Sequence, residues 1–311
     1  MCSALADKVC LPFLLNAQNK DGGWGFHAGS ASRAEPTAWA LVALTQYAGS
    51  SAHDEAASRA CHFLELAQLP DGSWPSSPDQ KEGSWATSLA CFALLHRKES
   101  RGNVARGVGW LSNELPREAH WFPRLLRRLA ARRLGSLNES YYGWCWTVGT
   151  ASWVEPTSYA ILFLRASPPE MLSAAAKRRV QIGEAMLRDR MCPGGGWDCG
   201  NPVVYGVPGV PQVTSTAWGL LALREHPEWP EVQKSLSWLQ NQSQAIQSPG
   251  SLALTLMAMN ANGRPDEGLA HSLQTLYETK EILWNVPEAA WAALALSQNQ
   301  NWLKPAPNGS A

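Results

Sequence analysis

The sequence carries no net charge, with 26 lysines and arginines against 26 aspartates and glutamates. A balanced chain exerts no general electrostatic pull on nucleic acid, so no such partner is expected. It also lacks an uninterrupted apolar run of about 18 residues, the length a membrane-spanning helix requires. Residues 1–15 hold Asp7 and Lys8 within their apolar stretch and show no cleavage signature, so no leader is read there. The seven cysteines are an odd number in a chain too large to need disulfide staples. Cys10, Cys61 and Cys91 fall on helix faces, where free buried thiols are ordinary. Cys192 and Cys199 have no paired histidine motif, so no metal and no cofactor are expected. These absences together read as a cytoplasmic chain.

What is abundant is tryptophan, 16 of 311 residues, and its placement is periodic. Residues 59–74 read Arg-Ala-Cys-His-Phe-Leu-Glu-Leu-Ala-Gln-Leu-Pro-Asp-Gly-Ser-Trp, the end of a helix, a glutamine, then a glycine turn closed by tryptophan. Phe13-Leu14 followed by Gln18 and Asp21-Gly22-Gly23-Trp24 matches the second half of this string. Arg106-Gly107-Val108-Gly109-Trp110-Leu111 matches only the first half. Met186-Leu187 and Gly195-Gly196-Trp197 keep the end of it, with Met191 in place of the glutamine. Lys234–Leu239 is a degraded fifth copy, and residues 266–277 form a sixth by helical periodicity alone.

An apolar helix follows each copy: 37–44, 87–94, 157–164, 216–223, 251–258 and 289–296. Helices apolar on every side are buried on every side, whereas the preceding ones carry Lys, Arg, Glu and Gln on one face. Six alternating outer and inner helices imply an all-α fold, an α/α toroid of six helical hairpins (an α6-α6 barrel). Residues 1–311 are read as a single domain with an inserted basic amphipathic segment at 117–143.

The string at 59–74 resembles the QW repeat of the triterpene cyclases. The chain is thereby similar to the superfamily of squalene–hopene cyclases and protein prenyltransferase β subunits, and most of all to its single-barrel members. That resemblance implies an isoprenoid-like substrate in a central cavity. It also implies an Asp-x-Asp-Asp acid motif, which is absent here, as is the Asp-Asp-x-x-Asp metal box of other terpene synthases. The prenyltransferase zinc pattern has only Asp198-Cys199 as a counterpart, adjacent rather than spaced.

Two acids recur in register. Glu35-Pro36-Thr37 and Glu155-Pro156-Thr157 place a glutamate two residues before the same inner-helix threonine, where repeats two and four have Trp85 and Thr214. One reading makes them helix caps, since acids favour helix starts. The other puts them at the mouth of the cavity, where a desolvated carboxylic acid can stay protonated and act as general acid. Aromatics recur too: Trp39, Tyr159, Trp218 and Trp291 each lie two residues after the helix-start position. They are either core, or a wall that stabilises positive charge by roughly 0.5–2 kcal/mol per contact. Trp146 and Tyr205 join them as candidate substrate-lining residues, the latter in the long loop 198–212, read as a lid or a ring closure.

Within the insertion, Trp121, Phe122, Leu125, Leu126 and Leu129 share one helical face, with Arg124, Arg127 and Arg128 on the other. The pattern suits a peripheral membrane contact, a diphosphate clamp through Arg124 and Arg128, or an ordinary surface helix. The leading functional expectation is an enzyme of the terpene-cyclase type. It would bind a hydrophobic, isoprenoid-like small molecule and drive acid-initiated cyclisation or isomerisation from Glu155 or Glu35. A non-catalytic isoprenoid- or lipid-binding module and an interaction scaffold with a filled ring stay open as alternatives. So does a polysaccharide-processing enzyme on the same toroid.

Overall fold

The computed structural model describes residues 5–97, 100–120, 138, 140–204, 206–279, 285–297 and 299–304. Twelve α-helices are found among them. The outer set is α1 (Leu11–Ala17), α3 (Ser51–Leu66), α5 (Arg101–Asn113), α7 (Ala174–Asp189), α9 (Pro230–Gln242) and α11 (Glu267–Thr279). The inner set is α2 (Ala34–Gln46), α4 (Ala86–Leu94), α6 (Val154–Ala166), α8 (Val213–Ala222), α10 (Pro249–Ala261) and α12 (Val286–Ala295). The inner helices touch in sequence order, and α12 packs back onto α2, so the ring closes. Each outer helix leans on the inner helix before it, with α1 on α12. The fold is therefore the α/α toroid expected from the pattern.

The two layers differ in how they bury their residues. In α2 every residue from Pro36 to Leu44 is buried, and in α6 every residue from Pro156 to Leu164. In α3 the buried residues are Ala56, Ala57, Ala60, Cys61 and Leu64, one stripe at helical spacing, with charged side chains elsewhere. Burial of apolar surface at about 25 cal/mol per Å² thus fixes the inner ring from all sides and the outer ring from one.

The glycine turns join the layers. Gly22, Gly72 and Gly195 have φ of 88°, 93° and 93°. A Cβ at these positions would lie 2.5, 2.7 and 2.8 Å from backbone carbonyl oxygens of the next outer helix, so only glycine fits. The following tryptophans are fully buried, and each is held twice. The indole N–H of Trp24, Trp74 and Trp197 donates to the carbonyl of Leu14, Leu64 and Leu187 at 2.7 Å. Their backbone N–H groups donate to the hydroxyls of Thr37, Thr87 and Thr216 at 2.9–3.0 Å, tying each turn to the start of the next inner helix. Gln18 and Gln68 bridge turn and next outer helix, donating to the carbonyls of Gly22 and Ala56, and of Gly72 and Asn103.

The third repeat corrects the sequence reading. Its second half is present but displaced beyond the insertion: Trp144 donates from its indole to Leu111 O (3.0 Å) and from its backbone to Thr157 Oγ1 (3.0 Å). No glutamine is available there. Arg179 of α7 is used instead, buried over the Trp144 ring at 4.1 Å and donating to the carbonyls of Gly143 (2.9 Å) and Glu114 (3.3 Å). The loop before α8 contains a short antiparallel hairpin, β1 (Val203–Val204) with β2 (Val207–Pro208), and the fold class stays all-α. Among the described residues no helix is long and apolar enough to cross a membrane.

Candidate functional site at the amino-terminal mouth of the ring

The inner helices start together at one mouth of the toroid, and the two recurrent acids are the second residues of α2 and α6. Neither helix start has a side-chain cap, and the cap residues themselves are Arg33 and Trp153. The capping reading is therefore replaced by another geometry. Glu35 Oε2 accepts a hydrogen bond from the indole N–H of Trp85 at 2.9 Å, and Trp85 immediately precedes α4. Glu155 Oε1 accepts from the hydroxyl of Ser215 on α8 at 3.3 Å. Each carboxyl thus reaches across to the next inner helix rather than folding back on its own.

Burial pushes the carboxyl of Glu35 above the ordinary glutamate value, against the Trp85 hydrogen bond that lowers it, and the charge of Glu155 pushes it further up. Burial likewise raises Glu155, opposed by the Ser215 bond. Neither acid makes an ion pair among the described residues. A third acid, unforeseen from the sequence, sits at the same mouth. Glu288 lies in the first turn of α12, its carboxyl lies against Gly250 at the start of α10, and burial raises it too, with His27 opposing.

The recurrent aromatics meet inside the ring. In a closed ring of six, α2 and α8 are diametrically opposed, yet the rings of Trp39 and Trp218 are 5.3 Å apart, centroid to centroid. They span the axis. Trp291 contacts both, at 6.0 and 5.7 Å, and Tyr159 stands edge-on to Trp218 at 4.9 Å. Trp39, Trp218 and Tyr159 are 1%, 2% and 5% exposed, so these side chains form an aromatic plug. The wall and core readings are therefore not exclusive: the residues face the lumen and fill it at their own level.

From the plug an aromatic path climbs to the acids. Trp146 lies 6.3 Å from Tyr159 and 5.0 Å from Trp85, the donor to Glu35. The Tyr159 hydroxyl is pushed up by burial first, then by the charges of both Glu35 and Glu155, so one phenol senses both acids. Trp85 and Ser215 were missed as site residues, although Trp85 occupies the register of Glu35. Glu288 was missed because it stands one position later in the register, after Pro287. The 198–212 loop lies beside this mouth, Val154 N donating to Cys199 O at 3.1 Å, and its Val203, Val207 and Val210 are exposed. Tyr205, Arg124 and Arg128 fall outside the described residues, as does the amphipathic stretch 121–133 to which the two arginines belong.

No family model matches the chain. Its fold is similar to that of the type II terpene cyclase MstE from Scytonema, which superposes with a TM-score of 0.59 over 90% of this chain and 80% of that one, at 16% identity. A protein from Actinoplanes gives 0.57 over 94% and 98%, at 15% identity. A GH8 xylanase from Teredinibacter turnerae gives 0.56 over 88% and 83%, at 9% identity. At such identities the likeness carries the fold, and the toroid evidently serves more than one chemistry. Among curated proteins, a drimenyl diphosphate synthase from Streptantibioticus cattleyicolor is 47% identical over 68 residues, 22% of this chain. The match spans 12% of that protein.

Proposed function

We propose that this chain is a terpene-cyclase-like enzyme that takes an elongated, apolar, isoprenoid-type substrate at the amino-terminal mouth and starts its reaction by proton transfer. The observation that carries the reading is the pairing of two desolvated glutamates, without counter-cations among the described residues, with an aromatic path through Trp85, Trp146 and Tyr159. Glu35 is the proposed acid. Its Oε2 is occupied by the Trp85 N–H, which leaves Oε1 to carry the proton. That proton would pass to an alkene carbon or an epoxide oxygen, and the cation formed would be stabilised by the facing rings at roughly 0.5–2 kcal/mol each. Loss of a proton to the glutamate, or capture of water, would end the sequence.

Glu155 would keep the local charge low by staying protonated beside it, and it stands second as the acid. Trp218, Trp39 and Trp291 would form the floor of the substrate region, with Tyr205, Arg124 and Arg128 as further candidate contacts. The fold shared with a type II terpene cyclase supports this reading, as does the short, strong match to a drimenyl diphosphate synthase. A glutamate is a weaker acid than the aspartate cluster of that superfamily demands of plain alkenes, which favours an epoxide or an allylic substrate.

One specific observation favours a second reading. Trp39 and Trp218 close the axis at 5.3 Å, as a filled ring serving as a scaffold or shallow lipid carrier would. The deciding experiment incubates the protein with linear polyprenyl alcohols, diphosphates and epoxides and analyses the products by mass spectrometry. A cyclised or isomerised product that disappears in Glu35→Gln supports the enzyme. Bound but unchanged isoprenoid supports the carrier, and absence of any binding leaves the scaffold.

A further inference from the structure

Beyond the aromatic plug, the inner helices end around a pocket of about 690 Å³, well within the range of small-molecule sites. Thr45, His96, Arg224 and Glu225, at or just beyond the carboxyl ends of α2, α4 and α8, line it, with Trp302 and Lys304. Trp302 is buried and its ring stands 6.3 Å from Phe92, which in turn lies 6.4 Å from Trp39. The plug therefore separates this pocket from the mouth that holds the acids.

Two of these side chains carry a buried polar atom without a hydrogen bond in the protein: Thr45 Oγ1 and Arg224 Nη2. Orphaned buried polar atoms are costly, so two around one pocket call for a partner from outside. Arg224 has a structural task at one edge only. Its Nη1 donates to Leu221 O at 3.0 Å, at the end of α8, while its side chain is 5% exposed. Its Nη2 faces Glu225 at 3.7 Å, beyond hydrogen-bond reach, and the same carboxylate is shared with Arg165 at 3.8 Å. Arg165 is already held by Glu184 at 2.6 Å. Arg165, Arg224 and Lys304 against Glu184 and Glu225 leave the pocket one positive charge in surplus. His96 Nδ1 lies 3.1 Å from the carbonyl of Phe92, and the Trp302 backbone also bonds this ring, so His96 is held by the protein.

We propose that this pocket binds a small oxyanion, a phosphate or a carboxylate, through Arg224 and Thr45, with Lys304 and Trp302 also lining it. The site is separate from the acid mouth and does not depend on the terpene-cyclase reading.

Isothermal calorimetry on the full chain with inorganic phosphate and with lactate, against chloride at equal ionic strength, tests it. Saturable binding of either probe, absent for chloride, is expected, and which probe binds tells a phosphoryl source from a carboxylate one. Arg224→Gln should weaken that binding by at least about tenfold, and Thr45→Val and Lys304→Ala by about two- to fivefold. Glu35→Gln should leave it unchanged. No saturable binding of either probe overturns the proposal, as does wild-type affinity in Arg224→Gln. Should that variant fail to fold by circular dichroism, wild-type affinity in both Thr45→Val and Lys304→Ala overturns it instead.

Discussion

The two mouths of the toroid are built from the same six helices and treat charge in opposite ways. Where the inner helices start, Glu35 and Glu155 accept hydrogen bonds from neutral donors, and burial pushes both of them and Glu288 towards their protonated forms. Where they end, Glu184 and Glu225 meet Arg165 and Arg224 in a connected network, and His226 adds a nitrogen 3.4 Å from Glu184. Helix dipoles alone would favour ionised acids at the first mouth and cations at the second. The second mouth follows that rule. The first overrides it, because burial outweighs the dipole and the hydrogen bonds. Acids raised against the local field are a sign of chemistry more than of stability.

The sharpest way to break this comparison is to remove the acid. Under the proposed mechanism, Glu35→Gln should lower turnover by about 10²–10⁴-fold, the usual worth of a positioned acid, with the fold intact. Trp85→Phe removes the indole donor but keeps an aromatic surface. It should cost less, and it should shift the alkaline limb of the rate profile upwards, because the bond that lowers the Glu35 pKa is gone. If Glu35→Gln keeps full activity, the first mouth is no acid site and the contrast between the mouths is merely structural.

Next in size is the plug that keeps the mouths apart. Trp218→Ala removes a buried ring in contact with Tyr159, Trp39 and Trp291. A loss of about 3–5 kcal/mol is expected from denaturant unfolding, the cost of truncating a large aromatic in a packed core. A much smaller loss, with gain of binding to a hydrophobic dye, would mean that the rings line a void rather than fill one.

The plug also shows what the sequence could and could not reveal. The toroid was legible because two periodicities coincide: helices apolar all round alternate with helices apolar on one stripe, and glycine–tryptophan turns punctuate them. The register of Trp39, Tyr159, Trp218 and Trp291 was legible for the same reason. That they converge was not, because register along a repeat says nothing about the diameter of the ring it builds. Trp144 was overlooked because the insertion carried it 33 residues from Leu111, where the other turn tryptophans lie 10 from their leucines. Glu35 and Glu155 were visible as a pair. Their partners Trp85 and Ser215 were not, since each belongs to the next repeat along the ring. The pocket at the carboxyl ends draws on helix termini and residues 300–304, and no motif marks it.

At the second mouth the expected effect is again a loss of stability, and smaller. Glu184 is buried at 6% side-chain exposure and bound by Arg165, which is 31% exposed. Glu184→Gln leaves Arg165 short of its main partner. Because the arginine retains access to water, a loss of about 1–2 kcal/mol is expected rather than the larger cost of a fully buried pair. Thermal unfolding at neutral pH should register it as a lowered Tm. No change would mean that Glu225 and solvent compensate, and the second mouth would then be no better balanced than the first.

The smallest effect carries the most direct information on the acids. A carboxyl whose folded pKa is raised adds stability below its unfolded value, and that contribution is lost as pH rises through the folded value. Glu35, Glu155 and Glu288 all act in this sense, so each should make the fold less stable from the ordinary glutamate range upwards. Glu118 acts in reverse. Burial raises it, but hydrogen bonds from Ser152 and the charge of Arg190 outweigh this and leave it lowered, so its contribution is lost as pH falls. The whole-protein curve superposes these trends, and substitution separates them. Glu35→Gln should raise Tm relative to the parent at alkaline pH and converge with it in acid, whereas Glu118→Gln should lower Tm at neutral pH and converge in acid. Were Glu35→Gln to lower Tm most at alkaline pH, its carboxylate would be stabilised rather than strained in the fold, and the first mouth would behave like the second.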